Sequence, residues 1–540
     1  MQSPEHPVYD RIAWAVMLAL LGAILAAFRI PGLAWDDHFQ SHYGDLILAY
    51  IESGFSDDRV FTYANLGLYG GLFDAIAQFM VRFSPFAALD TRHLFSALVG
   101  LVGLIGAWRF ARYLGGARAG LLALLLLAVT PSFAGHAFIN VKDIPFAAAY
   151  IWALYFATRA AVAFPEVPLR VAVLAGVAAG AAMGVRIGGV LLLGYMALLL
   201  AQHYVWGRAR ESLRGWVSEL ASAAGAILMV LLPAFVLTFV LWPASWANPL
   251  LMAYVALVET TRFSIVIDVL LDGVYYPSDD LPWHYLFTYM ALKLPEILLL
   301  SAGGGLLVTL VSWWRALKTG DRPLGFGLSA IYMGIFTPLG YALAVGSSHY
   351  DGIRHFLFIL PPLAIVGALG LATLWAWLEE RNPASLGLIA AFVAFGLAMG
   401  AVRVVQLFPY TYASFNAFAG GLRGAEGRFE TDYWALGYKD AAKMLTRHMG
   451  TAQKPYTVYV CGPQPSAAPF LDARARIVDN IEEADFFICL PRWGYDDTVQ
   501  APVVGEILAG GARMTVIKDL RSGFDIVGAK PKTLSLKGQN

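Results

Sequence analysis

Four short polar stretches of this chain carry residues able to do chemistry. The first is Trp35-Asp36-Asp37-His38-Phe39-Gln40-Ser41-His42. Two adjacent carboxylates repel each other and, when partly desolvated, bind protons more tightly, so at least one is expected to serve as a base toward a hydroxyl. An acidic turn facing water is the plain alternative. His38 and His42, spaced i and i+4, would share one helix face and with Asp37 could hold a divalent metal ion.

The second stretch is His136-Ala-Phe-Ile-Asn140-Val-Lys142-Asp143-Ile-Pro145. Asp143 with Pro two residues later fits a helix start, the Asp as cap and the Pro in the first turn. Capping requires neither the amide of Asn140 nor the charge of Lys142, which together suit a phosphate. Third comes Gly346-Ser-Ser-His349-Tyr-Asp351-Gly-Ile-Arg354-His355, running directly into an apolar segment. A cation at a membrane edge is costly without a partner, so Arg354, His355 and the similarly placed Arg186 are candidates for binding an anion; snorkelling to lipid headgroups is the alternative for each arginine. The fourth, Tyr275 to Tyr285, sets Trp283 and His284 among aromatic rings that suit sugar faces or an interfacial belt. His349 joins His38, Trp283 and His284 as a candidate for substrate binding.

The elements that must position these residues are apolar. The 540 residues are 58% hydrophobic and 14% charged, with a mean hydropathy of +0.61. Soluble domains carry about 25% charged residues, so the composition is that of a polytopic membrane protein. A net charge of zero argues against a nucleic-acid partner. Eleven spans are expected near 12–30, 94–112, 117–135, 144–162, 170–184, 187–203, 219–242, 285–313, 325–346, 354–377 and 385–407. With the N-terminus inside, the inner loops collect Arg109, Arg112, Arg118, Arg159, Arg170, Arg208, Arg210 and Arg315. The outer ones collect Asp36, Asp37, Asp143, Asp279, Asp280 and Asp351. If 170–203 were one helix, all later spans would change side.

The outer loop 31–93 contains a candidate interfacial helix from Tyr43 to Ser53. From 408 onward the character changes. A helix over 432–448 and strands at Tyr456–Val460, Asp485–Cys489 and Met514–Lys518 predict a small outer α/β domain, 408–540, behind a membrane domain, 1–407. Cys461 and Cys489 match no zinc or redox spacing, which leaves a disulfide open.

Taken in order, Asp36-Asp37 with His38-Phe39, Arg92-His-Leu-Phe-Ser96, Leu114-Gly-Gly116, Thr130-Pro-Ser132, Lys142-Asp143-Ile-Pro145, Leu281-Pro-Trp283 and Arg354-His355-Phe-Leu-Phe-Ile-Leu-Pro-Pro362 form a series. This series resembles the landmarks of the C-type-fold (GT-C) membrane glycosyltransferases, in particular the protein O-mannosyltransferases and aminoarabinose transferases, over roughly residues 10 to 375. The resemblance implies a mainly α transmembrane bundle in a bacterial inner membrane, with its C-terminal domain periplasmic. It also implies an inverting sugar transfer from a polyprenyl-phosphate donor to a hydroxyl acceptor. Asp36 would be the general base, Asp37 the second acid and Asp143 a third acid orienting acceptor or metal. Arg354, with His355, Lys142 and Arg186, would hold the donor phosphate. The family usually has Glu where Asp37 stands, and its His-Pro-Pro landmark is replaced by the region of Thr62 to Leu66, so the acceptor does not carry over. The rival classes are a transporter or flippase, whose sites lie near the bilayer midplane, and a non-catalytic receptor.

Overall fold

A computed structural model of the chain describes residues 7–206, 213–261, 266–451, 454–530 and 533–534; Arg208 and Arg210 lie outside them. Among the described residues nine helices are long and apolar enough to cross a membrane, and Leu169–Met183 and Pro249–Thr260 are shorter apolar ones. This is an integral membrane protein, mainly α, with a small C-terminal sheet.

The order is α1 (Pro7–Ala27), α2 (Trp35–Glu52), α3 (Leu72–Phe83), α4 (Ala88–Ala128), α5 (Pro131–Ile139), α6 (Asp143–Ala163), α7 (Leu169–Met183), α8 (Val190–Trp206), α9 (Leu213–Phe239) and α10 (Pro249–Thr261). A hairpin of β1 (Asp268–Leu271) and β2 (Val274–Pro277) follows. Then come α11 (Tyr285–Lys293), α12 (Glu296–Thr319), α13 (Arg322–Val345), α14 (Leu360–Arg381) and α15 (Leu386–Leu407). Helix α4 packs against α1, α6 and α14 in the middle of the bundle.

Proline and glycine account for the departures from the expected spans. Span 94–112 and the first part of span 117–135 are one bent helix, α4, because Gly116 takes φ 79°, which breaks the helical path without a side-chain clash. The remainder of 117–135 is cut off where Thr130 is extended ahead of Pro131. Span 285–313 divides in the same way, with Leu294 extended ahead of Pro295. The interfacial helix begins eight residues earlier than expected, at Trp35, so the acidic pair forms its first turn. The span pair 170–184 and 187–203 is two helices, separated by a 3-10 turn at Ile187–Gly189.

Helices α7 and α9 approach closely through Gly176, Gly180 and Gly184, which recur every fourth residue on α7. A Cβ on Gly176 would lie 2.2 Å from the Val230 carbonyl oxygen, and one on Gly180 would lie 2.7 Å from Ala234. Small residues at this spacing let two backbones touch where lipid offers no hydrophobic drive to hold helices together.

The C-terminal sheet has five strands in the order Ala475–Val478, Tyr456–Val460, Phe486–Cys489, Ala512–Asp519 and Val503–Ala509. The first three are parallel and the last two antiparallel. Cys461 and Cys489 are disulfide-bonded. The helix expected over 432–448 starts at Tyr438 instead. Asp432 accepts hydrogen bonds from the backbone N–H groups of Trp434 and Ala435 at 2.9 and 2.8 Å, fixing a turn that competes with the helix.

The glycine stripe sets the distance between α7 and α9, and Arg186 follows directly from the end of α7. Gly180→Leu should lower stability in detergent by about 1–3 kcal/mol through overpacking, read as a drop in unfolding midpoint. Gly225→Leu, at a site on α9 with nothing within 4 Å of a Cβ, should leave the midpoint in place.

Candidate active site

Asp36 and Asp37 sit in the first turn of α2, where consecutive side chains diverge by about 100°. They therefore part instead of sharing a proton. Asp36 faces a polar centre and remains a quarter exposed; its Oδ2 accepts from Arg354 Nη1 at 2.6 Å and lies 3.4 Å from Lys142 Nζ. Burial alone would raise the Asp36 carboxyl, but Lys142 and Arg354 outweigh it and hold the group well below the usual carboxylate range. The expected rise in proton affinity is thus reversed, because two cations replace the second carboxylate as neighbours.

Asp37 is fully buried on the other side, 2.8 Å from the Arg92 guanidinium, which also reaches Asp74 at 3.2 Å. Burial pushes the Asp74 carboxyl up to about 7. Arg92 thus closes the first outer loop onto the start of α4, and Asp37 helps to position α2, away from the polar centre.

Asp143 opens α6 as its first residue rather than as its cap, and the side chain of Asn140 holds this turn. The Asn140 side-chain oxygen accepts from the N–H groups of Lys142 and Asp143 at 3.2 and 2.8 Å, while its amide donates to Asp143 Oδ2 at 2.8 Å. The free edge of Asp143 receives Arg186 at 2.5 Å. Asn140 thus aims Lys142 at Asp36 and Asp143 at Arg186. Lys142 also lies 4.9 Å above the Tyr69 ring.

Arg354 is buried and reaches Asp36 and, at 3.1 Å, Asp351. The second oxygen of Asp351 takes Arg492, from the C-terminal segment, at 2.8 Å. Two flat rings, Tyr350 and Trp434, flank the Arg354 guanidinium at 5.0 and 5.1 Å. Arg354 also donates to His355 Nε2 at 3.3 Å.

Beside this centre lies a cavity of about 270 Å³. Arg186, His349, Tyr350 and His355 line one end, and Leu257, Pro338 and Tyr341 of α10 and α13 line the other. The Arg186 Nε is buried with no hydrogen-bond partner. Burial pulls the His349 imidazole down to about 4, so it is neutral at physiological pH.

The structure thus brings together Asp36, Lys142, Asp143, Arg186, His349, Arg354 and His355. It does not bring in Trp283, which is 75% exposed, or His284, whose Nδ1 lies 3.3 Å from the Thr288 hydroxyl. Asp37, His38 and His42 do not fit a metal. Asp37 is occupied by Arg92, the His42 ring is edge-on to Tyr63 at 4.7 Å, and no three His, Cys, Asp or Glu side chains converge among the described residues. Sequence reasoning gave no role to Arg92, Asp351 or Trp434 and did not single out Arg492. Arg354 was the usable signal for Asp351, since a buried cation needs a counter-charge. Nothing local pointed to Arg492, 141 residues from Asp351 in the chain.

Residues 89–236 match the family model of the dolichyl-phosphate-mannose-protein mannosyltransferases. No curated protein matches the chain in sequence. Among solved structures, ArnT from Cupriavidus metallidurans bound to undecaprenyl phosphate is 14% identical, with a TM-score of 0.48, covering 96% of this chain and 99% of that one. The archaeal oligosaccharyltransferase AglB from Archaeoglobus fulgidus, in complex with an inhibitory peptide and a dolichol-phosphate, is 12% identical, with a TM-score of 0.46, covering 89% of this chain and 69% of that one. Family match and motif series run together from the start of α4 into α9, and the chain is similar to the C-type-fold membrane glycosyltransferases.

Proposed function

We propose that this protein transfers a sugar from a polyprenyl-phosphate-linked donor to a hydroxyl acceptor at the outer face of a bacterial inner membrane, with inversion at the sugar carbon. One observation carries the reading. A carboxylate, Asp36, is held by Arg354 and Lys142, and beside this group lies a cavity that Arg186 lines at one end and that is apolar toward α10 and α13. A lipid phosphate presents the matching pattern of an anionic head on an apolar chain.

Arg354, Lys142 and Arg186 would hold the phosphate through charge-assisted hydrogen bonds. Asp36 would take the proton of the acceptor hydroxyl as its oxygen forms a bond to the sugar carbon on the face opposite the leaving group. The bond from that carbon to the phosphate oxygen breaks, and its electron pair stays on the lipid phosphate, where the cations stabilise the growing charge. Asp143 orients Arg186, and His349 and His355 remain neutral donors or acceptors in the wall. The Cys461–Cys489 disulfide supports an oxidising outer compartment for the sheet. The arginines at the other end of the bundle support a cytoplasmic N-terminus.

A donor phosphate would compete with Asp36 for Arg354 and Lys142. Binding the donor therefore arms the base, because a carboxylate relieved of two cations regains affinity for a proton.

Asp36→Asn should lower the rate of transfer by about 10²–10⁴-fold, the contribution typical of a general base, while undecaprenyl phosphate binding persists; near-normal turnover would remove Asp36 from that role. The acid limb of kcat, measured at saturating donor, should lie at higher pH than the acid limb of kcat/KM for the donor, which reports the free enzyme. Coincident limbs would show that the donor leaves Asp36 paired with Arg354 and Lys142.

A further inference from the structure

A second cavity, of about 420 Å³, lies outside the donor site, between the β1–β2 hairpin, residues 426–432 and the start of the loop after Cys489. The hairpin is joined to its other wall by the Leu271–Phe429 bridge and by the Gly273 N–H donating to Arg428 O at 2.9 Å. This cavity is polar, and its lining asks for a ligand.

Two exposed carboxylates, Glu426 and Asp497, line the cavity and can accept hydrogen bonds from an occupant, whereas the Glu430 oxygens are closed off from the space. Two aromatic rings, Tyr275 on β2 and Trp493, face the same space. Trp493 is held at φ 60°, a left-handed conformation that costs a bulky residue about 1–3 kcal/mol and concentrates at functional sites. Glu426, Glu430, Asp496 and Asp497 outnumber Arg492 and Arg513 around the cavity, which opposes an anionic occupant.

The cavity also adjoins the chemistry. Trp493 packs edge-on against Trp35 at 6.3 Å, and Asp36 is the next residue. Arg492 spans the two sites, lining the cavity while paired with Asp351, which holds Arg354. We propose that this cavity is the acceptor subsite and that the acceptor it takes is a neutral sugar, with pyranose faces on Trp493 and Tyr275 and hydroxyls donating to Glu426 and Asp497. Aromatic faces with carboxylate acceptors fit such a ligand, since sugar C–H faces are apolar and sugar hydroxyls donate. The proposal rests on the glycosyl-transfer reading and names the chemical class of its acceptor.

The test is saturation-transfer NMR on the full-length protein in nanodiscs, with maltotriose as the neutral probe and trigalacturonate as its anionic counterpart. Wild type should saturate maltotriose and not trigalacturonate. Trp493→Gly, which takes the left-handed backbone at no cost, and Tyr275→Ala on the opposite wall should each weaken the maltotriose signal by roughly 2–10-fold, the worth of one aromatic contact. Absence of maltotriose saturation, equal signals in wild type and both variants, or equal saturation of the two probes overturns the proposal. Native mass spectrometry of the same samples with undecaprenyl phosphate tests the donor reading separately, and both variants should retain the lipid.

Discussion

The ion pair between Asp36 and Arg354 joins the two halves of the molecule, and most of what surrounds the site serves to keep it dry and aligned. It links the first outer loop to the turn between α13 and α14, 318 residues apart in the chain. From it the charges alternate outward, with Lys142 on one side and Asp351, Arg492 and Glu430 on the other. Each cation touches at least one carboxylate, as buried charge requires. In the proposed reaction a lipid phosphate would replace one anion by another and leave the cations where they are. Alignment of those cations by protein carboxylates is the condition for electrostatic stabilisation without reorganisation.

The segment 408–437 encloses this chain of charges. Trp434 places its ring beside Arg354, and its carbonyl accepts the Trp35 N–H at 3.1 Å, fixing the start of α2. Tyr412 donates to Asp432, which holds the turn that presents Trp434, and a Cβ on Gly135 would meet the Tyr412 nitrogen at 2.2 Å. Lys439 adds a further clamp, donating to the carbonyls of Arg29, Ile30 and Pro31 just beyond α1. The C-terminal sheet thus reaches the site through Arg492 and this aromatic segment. Lys293, buried beneath Phe415 at 4.4 Å, lies in the same enclosure.

The apolar spans and the edge cations were legible in the sequence, because both obey local rules: helix length follows bilayer thickness, and a charge at a span boundary needs a reason. Asp36, Asp143, Lys142, Arg186 and Arg354 could be singled out on that ground. What could not be read was direction. Whether Asp37 would join Asp36 or oppose it depended on α2 starting at Trp35 and on Arg92, 55 residues away, being free to receive it. The aromatic run at Trp283 and His284 carried the same local signal as Trp434 and Trp493. Only tertiary packing leaves the first pair at the surface and draws the second pair against arginines. The breaks before Pro131 and Pro295 were visible as prolines and lost under the hydropathy of their surroundings.

Depth within the bundle bears on which class of membrane protein this is. The charged groups that meet here come from the first turn of α2, the start of α6, the end of α7 and the turn before α14, all at one end. The opposite end is tied by ion pairs between Asp10 and Arg112 and between Arg118 and Glu379. Between them the central helices present apolar side chains to one another, as along α14 from Leu360 to Gly370. A substrate crossing the bilayer would need a polar path through that middle, whereas group transfer at one face needs only the converging ends. The placement of charge at those ends is the arrangement a surface enzyme requires and a carrier does not.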